Sequence, residues 1–337
     1  MPQRVGRYTL SLETAPVIAG YASVVGKKEG AGPLAKHFDK IYDDTTLGLE
    51  SWEKAESELL KEAVQTAMDK AGVVYSDVDY VFAGDLLNQC ISSTYGIRDM
   101  NIPFIGVYGA CSTMALSLGL AGCFVDAGLA STCSAATSSH FCSAERQFRF
   151  PLEYGSQRTP TSQWTVTGAG SAVVRNAGHG VRIQKVCFGQ VVDLGVSDIN
   201  NMGAAMAPAA AQTIQNFLSD TGTLPDDYDM ILTGDLGAVG SKLLEELLNK
   251  ENIDISKQHT DCGLLIYNPG DGDINAGASG CGCSASVLCS YILKRMEEKM
   301  LKNILFCATG ALMSPTSNQQ GETIPGVAHL VHLVCPD

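Results

Sequence analysis

The chain has no basic stripe. Lys and Arg number 23 against 36 Asp and Glu, a formal charge of −13. Binding nucleic acid by neutralising its phosphates with clustered cations is therefore excluded, and so is a polybasic membrane anchor. The opening residues, MPQRVGRYTLSLETAP, lack the apolar run of a secretory leader, so a leaderless, cytoplasmic-type chain is expected. Cys281-Gly-Cys283 has no second Cys or His pair at ligand spacing. No metal site is expected there, and the pair reads as small packing residues. The twelve cysteines are scattered, most of them among apolar or small neighbours (Cys123, Cys133, Cys187, Cys289, Cys307). That pattern fits reduced, buried thiols and not a disulfide framework. Met100 to Val125 carries no charge, but Pro103 and several glycines split it into a strand and a helix, so a membrane span is not expected.

What is present is enough apolar sequence for a sizeable core, 45% of 337 residues. Ser51 to Lys70 has helical spacing, with Leu59, Leu60, Ala63, Val64 and Ala67 on one face and Gly72 as its stop. Val78 to Ala83 reads as a buried strand ending in Gly84-Asp85. The pattern then recurs. Val64 to Leu86 and Ile214 to Leu236 align without gaps over 23 residues with seven identities, among them Gly72/Gly222, Gly84/Gly234 and Asp85/Asp235. The identities fall at the helix stop, the turn and the strand end, which predicts two halves built alike. Gly178-His179-Gly180 is the expected seam, dividing the chain into 1–178 and 179–337. Further elements are expected as a strand over Leu129 to Ser134, a strand broken by a Gly-Ala-Gly turn in Trp164 to Val174, a helix starting at Pro208, a small-residue loop over Asn275 to Ser284 leading into helix Ala285 to Lys302, and a last strand Val327 to Val334. His329 and His332 should face opposite sides of that strand. Pro151 to Gln163 reads as a polar loop or flap. Strands alternating with helices twice over predict a layered α/β/α/β/α structure with parallel-rich sheets.

The stretch GVYGACSTMALSLGL, from Gly106 to Leu120, is the candidate functional centre. A strand turns sharply through Tyr108 to Ala110 and delivers Cys111 to the start of a buried helix. A thiol there should ionise readily, and the helix N-terminus with Ser112 and Thr113 should favour an anion. A small buried residue at a tight turn is the competing reading.

The duplicated halves, the Cys111 elbow and the WTVTGAGSAVV segment resemble the thiolase-fold condensing enzymes, nearest to β-ketoacyl carrier-protein synthase III. Within that fold GDLLNQC, YGACSTMALSL and GASGCGCSASVL resemble the stage V sporulation protein AD family of spore-forming bacteria, over essentially the whole chain. The resemblance to the condensing enzymes implies a Cys nucleophile at Cys111 and an Asn at Asn275. Their His is replaced here by Thr233-Gly234-Asp235-Leu236-Gly237, and an Asp there would repel an enolate. A non-catalytic role is therefore expected, the alternative being an active acyl-transfer or condensing enzyme using Cys111. The sporulation resemblance implies binding of dipicolinic acid (pyridine-2,6-dicarboxylate), accompanied or not by Ca²⁺, for uptake in sporulation and release in germination. It further implies docking on membrane-embedded partner subunits at the spore inner membrane, and the thiolase-like fold a homodimer. No cofactor of the protein's own is expected.

For such a ligand the candidate residues are Asp85, Asn88, Cys111, Ser112, His140 and Asn275. Asp85 stands at the carboxyl edge of the sheet, where it would repel a dianion but could hold Ca²⁺ together with Asn88 or Gln89; a turn cap is the other reading. His140 would point to the pocket or be a satisfied buried imidazole. Arg146, Arg149 and Arg158 could pair with carboxylates, although loop arginines are mostly just solvated.

Overall fold

The structure, a computed structural model, describes residues 1–148, 158–268, 270–272 and 274–336. Residues 151–157 of the expected flap, and Arg149, lie outside it. The main strands are β1 Val17–Val25, β2 Tyr80–Gly84, β3 Phe104–Gly106, β4 Thr132–Ser139, β5 Gly168–Arg175, β6 Arg182–Cys187, β7 Met230–Thr233, β8 His259–Asp261, β9 Asn303–Ala311 and β10 Gly326–Val334. They run in the order β8-β7-β9-β10-β6-β1-β5-β4-β2-β3. Outward from the centre, β1 is antiparallel to β5, β5 antiparallel to β4, and β4, β2 and β3 are mutually parallel. The other side repeats this strand for strand, with β6, β10, β9, β7 and β8 in the same senses. The two wings meet through one register pair, Arg182 with Val17.

The helices used below are α1 Trp52–Ala71, α2 Ile91–Ile97, α3 Thr113–Asp126, α4 Phe141–Phe148, α5 Met202–Thr221, α6 Gly237–Lys250 and α7 Cys281–Val287. Local chemistry explains the ends of α1. The Ser51 hydroxyl accepts from the Lys54 amide at its start, and Gly72 closes it in the left-handed conformation at φ +66. Gly222 does the same for α5 at φ +65. Helix α1 buries Leu59, Leu60, Ala63 and Val64 against β1, β2 and β5 on one outer face. Helix α5 buries Met206, Ala210, Ile214 and Phe217 against the other wing. Between the wings lies the largest core cluster, built from α3 (Met114, Leu118) and the helix begun by α7 (Val287, Leu288, Ile292). Helix, sheet, helix, sheet, helix is the expected layering. The central layer is close-packed: a Cβ on Gly170 of β5 would sit 2.4 Å from the Ala285 carbonyl of α7.

Several elements depart from expectation for tertiary reasons. Helix α5 runs through Pro208 instead of starting there, because its buried apolar face outweighs the roughly 3 kcal/mol cost of an internal proline. Strand β4 is Thr132–Ser139, eight small, wholly buried residues set by pairing with β2 and β5. The Gly-Ala-Gly of residues 168–170 lies inside β5, and the break falls before it, after a short strand Trp164–Thr165. Helix α7 begins at Cys281, four residues early, where the Ser139 hydroxyl of β4 accepts the Gly282 amide at 3.1 Å. It continues through a π-helical turn, Leu288–Ile292, to Glu297. No helix among the described residues is long and apolar enough to cross a membrane.

Candidate functional site

Cys111 stands where strand β3 hands over to α3. The turn needs Ala110 at φ +50, a left-handed conformation that a residue other than glycine rarely takes. Two hydroxyls lock it. Ser112 Oγ donates to the Gly109 carbonyl at 2.6 Å, and Thr113 Oγ1 donates to the Ala110 carbonyl at 2.6 Å. The Ser112 and Thr113 amides bond the same two carbonyls at 3.0 and 3.3 Å. The anion donors expected at Ser112 and Thr113 are therefore taken up by the turn, and Ser112 does not face the cavity. From β9, Gly310 covers the turn so closely that a Cβ would lie 2.2 Å from the Gly109 carbonyl oxygen.

The sulfur opens on a cavity lined by both wings. Leu86, Tyr108, Phe148, Met202, Met206 and Met313 form its apolar walls. Gln163, Thr165, Asn200, Ser279 and Glu145 supply its polar side chains. Behind the sulfur is Asp235, wholly buried at the turn after β7. Its Oδ1 accepts from Thr309 Oγ1 at 2.9 Å, and its Oδ2 from the Gly280 amide at 2.9 Å and Ser279 Oγ at 3.2 Å. Gln163 Nε2 fixes the same turn by donating to the Asp235 and Ala278 carbonyls at 2.6 and 2.7 Å. Burial pushes Asp235 up to about 7, although its contact with Cys111 lowers it. Burial and the Asp235 carboxylate hold the Cys111 thiol well above its usual range. The expectation of a readily ionised thiol is thus reversed: desolvation and an adjacent carboxylate outweigh the half-charge of the helix end.

Of the six expected site residues, Cys111 alone lines this cavity. Asp85 is buried and satisfied, its Oδ1 accepting the Leu87 amide and its Oδ2 the amide and hydroxyl of Ser93 at 2.8 and 2.6 Å. It is the turn cap, both oxygens engaged by its own turn and α2. Asn88 lies on the surface, its backbone N–H donating to Gln147 Oε1 at 3.1 Å, in a depression apart from the cavity. His140 is a satisfied buried imidazole. Its Nε2 is 2.7 Å from the Thr45 carbonyl, its Nδ1 accepts the Cys142 amide, and burial lowers its pKa. Asn275 is exposed and donates to the Thr159 carbonyl at 2.9 Å, away from the sulfur. No group of three or more His, Cys, Asp or Glu that could hold a metal occurs among the described residues.

No histidine lines the cavity among the described residues. His329 of β10 comes near the elbow but packs its ring against Phe188, and its Nδ1 accepts the Gly189 amide at 3.1 Å. Asp235, which the resemblance put where the condensing enzymes have their His, is absent from the six candidate ligand residues yet sits behind the sulfur. Its signal was present, since the internal repeat pairs it with Asp85 at the end of an equivalent strand. Phe148, Gln163 and the three methionines gave no local signal, because widely separated segments bring them together.

The model of the family described as stage V sporulation protein AD matches residues 6–334. A stage V sporulation protein AD of Bacillus subtilis (strain 168) is 45% identical over 324 residues, covering 96% of each chain. Among solved structures, 3-oxoacyl-[acyl-carrier-protein] synthase III from Aquifex aeolicus is similar at TM-score 0.58, with 14% identity over 95% of this chain and 99% of that one. A single-residue variant of OleA from Xanthomonas campestris is similar at TM-score 0.60, with 12% identity over 99% of both chains. These two likenesses establish the thiolase-like fold of the condensing enzymes. The chain belongs to the stage V sporulation protein AD family.

Proposed function

We propose that this sporulation protein is a non-catalytic binding subunit for dipicolinic acid, as the free acid or its Ca²⁺ chelate. It would serve a membrane-associated complex that takes the ligand up in sporulation and releases it in germination, docked through membrane-embedded partners and itself a homodimer. The observation that carries the reading is the cavity over Cys111. It keeps the position of a nucleophile but sets a buried carboxylate behind the sulfur, so the thiol stays protonated. Tyr108, Phe148 and the methionines offer flat and adaptable apolar surface to a planar ring. Thr165, Asn200 and the Tyr108 hydroxyl offer donors to its carboxylates.

Titration calorimetry with dipicolinate, with and without Ca²⁺, tests this. Folded wild-type protein should give a saturable heat, and Cys111→Trp, which fills the cavity, should weaken binding at least about tenfold. Absence of heat from folded wild-type protein would sink the proposal. One observation favours acyl transfer instead: Asp235, near 7, is placed to take the Cys111 proton. A mass increase on the Cys111 peptide after incubation with an acyl-CoA would establish that alternative.

A further inference from the structure

We propose that Arg158 is the carboxylate-recognition residue of this cavity, and that Glu145 occupies its guanidinium only while the cavity is empty. The inference rests on the anion-binding reading above and adds the cation that such binding requires.

No lysine or arginine lines the cavity among the described residues, while Glu145 does and Asp235 lies behind its floor. A dicarboxylate entering that field would be repelled unless a cation stood within reach. Arg158 stands one hydrogen bond behind the wall. Its Nη2 is 2.9 Å from Glu145 Oε1, and its Nη1 donates to the Gln163 carbonyl at 3.1 Å. Both partners line the cavity. The ion pair is largely buried, with side chains 12% and 8% exposed, so the expectation of a solvated loop arginine fails. The guanidinium is held in place by the rings of Phe141 and Trp164, at 5.2 and 4.8 Å from their centroids. Those rings stack on each other at 4.0 Å.

A buried ion pair gains little over apolar side chains of the same volume. Stability alone therefore gives no reason to keep one at a cavity wall. A charge-assisted, two-pronged grip on carboxylates does give a reason, since an arginine fork matches a carboxylate in shape. Glu145 already presents to Arg158 the group that a ligand would present. Binding is then an exchange of one carboxylate for another on a preset guanidinium, so Arg158 is paired both before and after.

The test uses the full chain and two probes, pyridine-2,6-dicarboxylate and pyridine-2-carboxylate, by calorimetry. Wild type should prefer the dicarboxylate. Arg158→Gln should weaken dicarboxylate binding roughly 10- to 100-fold and remove most of that preference. Arg158→Lys should restore part of the affinity, because it keeps the charge and loses the fork. Glu145→Gln should tighten binding by removing the competitor. Should Arg158→Gln fold poorly, the neutral pair Glu145→Gln/Arg158→Gln, with folding confirmed by melting, must show the same loss. Equal affinity of folded wild type and Arg158→Gln would overturn the inference, as would weakening by Glu145→Gln to the extent seen for Arg158→Gln. A wild type that binds neither probe would overturn the binding reading itself, and this inference with it.

Discussion

Gly310→Ala should cost this protein roughly 3 kcal/mol or more and abolish ligand binding. Gly310 sits in β9, paired with Val327 of β10, and lies over the Cys111 turn. A methyl group there would meet the Gly109 carbonyl oxygen at 2.2 Å, the Ser112 amide at 3.1 Å and the Cys111 amide at 3.2 Å. All three are backbone atoms, so no side chain can swing away. Either β9 leaves its neighbours or the elbow moves, and Cys111 moves with it. Gly321→Ala is the control. Nothing lies within 4 Å of its Cβ, but its φ is +80, so its cost is backbone strain alone, about 1 kcal/mol. Denaturant unfolding of both variants gives the comparison. A Gly310→Ala midpoint as close to wild type as that of Gly321→Ala would mean that the turn is not held by close backbone contact.

The contrast also marks what the sequence could and could not disclose. Ser51, Gly72 and Gly222 were legible because a cap or a stop acts on residues beside it in the chain. The strand–Cys111–helix turn was legible for the same reason. Asp85 and Asp235 were legible as a repeated pair, yet their roles differ. Asp85 closes its own turn through Leu87 and Ser93, whereas Asp235 is held by Thr309, Gly280 and Ser279 and faces a thiol from the other wing. Those partners are set by how the wings meet, which no local pattern encodes. The same holds for the early start of α7, capped by Ser139 of β4, and for the proline inside α5. Asn275 shows the opposite hazard. A family position was carried over along the sequence, and the loop places that side chain outward, on the Thr159 carbonyl.

Raising the pH from about 6 to 9 should destabilise the fold, and Glu56→Gln should flatten that fall. Glu56 is buried, with Oε1 accepting from Ser138 Oγ at 3.2 Å and Oε2 from Ser143 Oγ at 2.7 Å. Burial, with the neighbouring Asp85 charge, pushes it up to about 8. Burial raises Asp85 as well, against the two amides and one hydroxyl that donate to it. Asp235 is raised to about 7 by burial. In the unfolded chain both groups titrate near 4. Between roughly pH 4 and 8 the native state therefore keeps protons that the unfolded state has released. Stability falls with rising pH across that window, by at most about 1.4 kcal/mol per unit for each group. The contribution is complete below the unfolded values and is lost as the pH passes through 7 and then 8. Hydrogen bonds lower the pKa of Asp44 and Asp193, which stabilises the fold above the usual carboxylate range and is lost in acid. The optimum should thus lie on the acid side of neutrality. Glu56→Gln keeps the shape and drops the titration, so it should overtake wild type above about pH 8. Parallel pH curves for the two proteins would refute the assignment. The charge that appears on Asp235 also reaches the cavity floor, so dicarboxylate binding should weaken as the pH rises through about 7, and Asp235→Asn should bind with little dependence on pH.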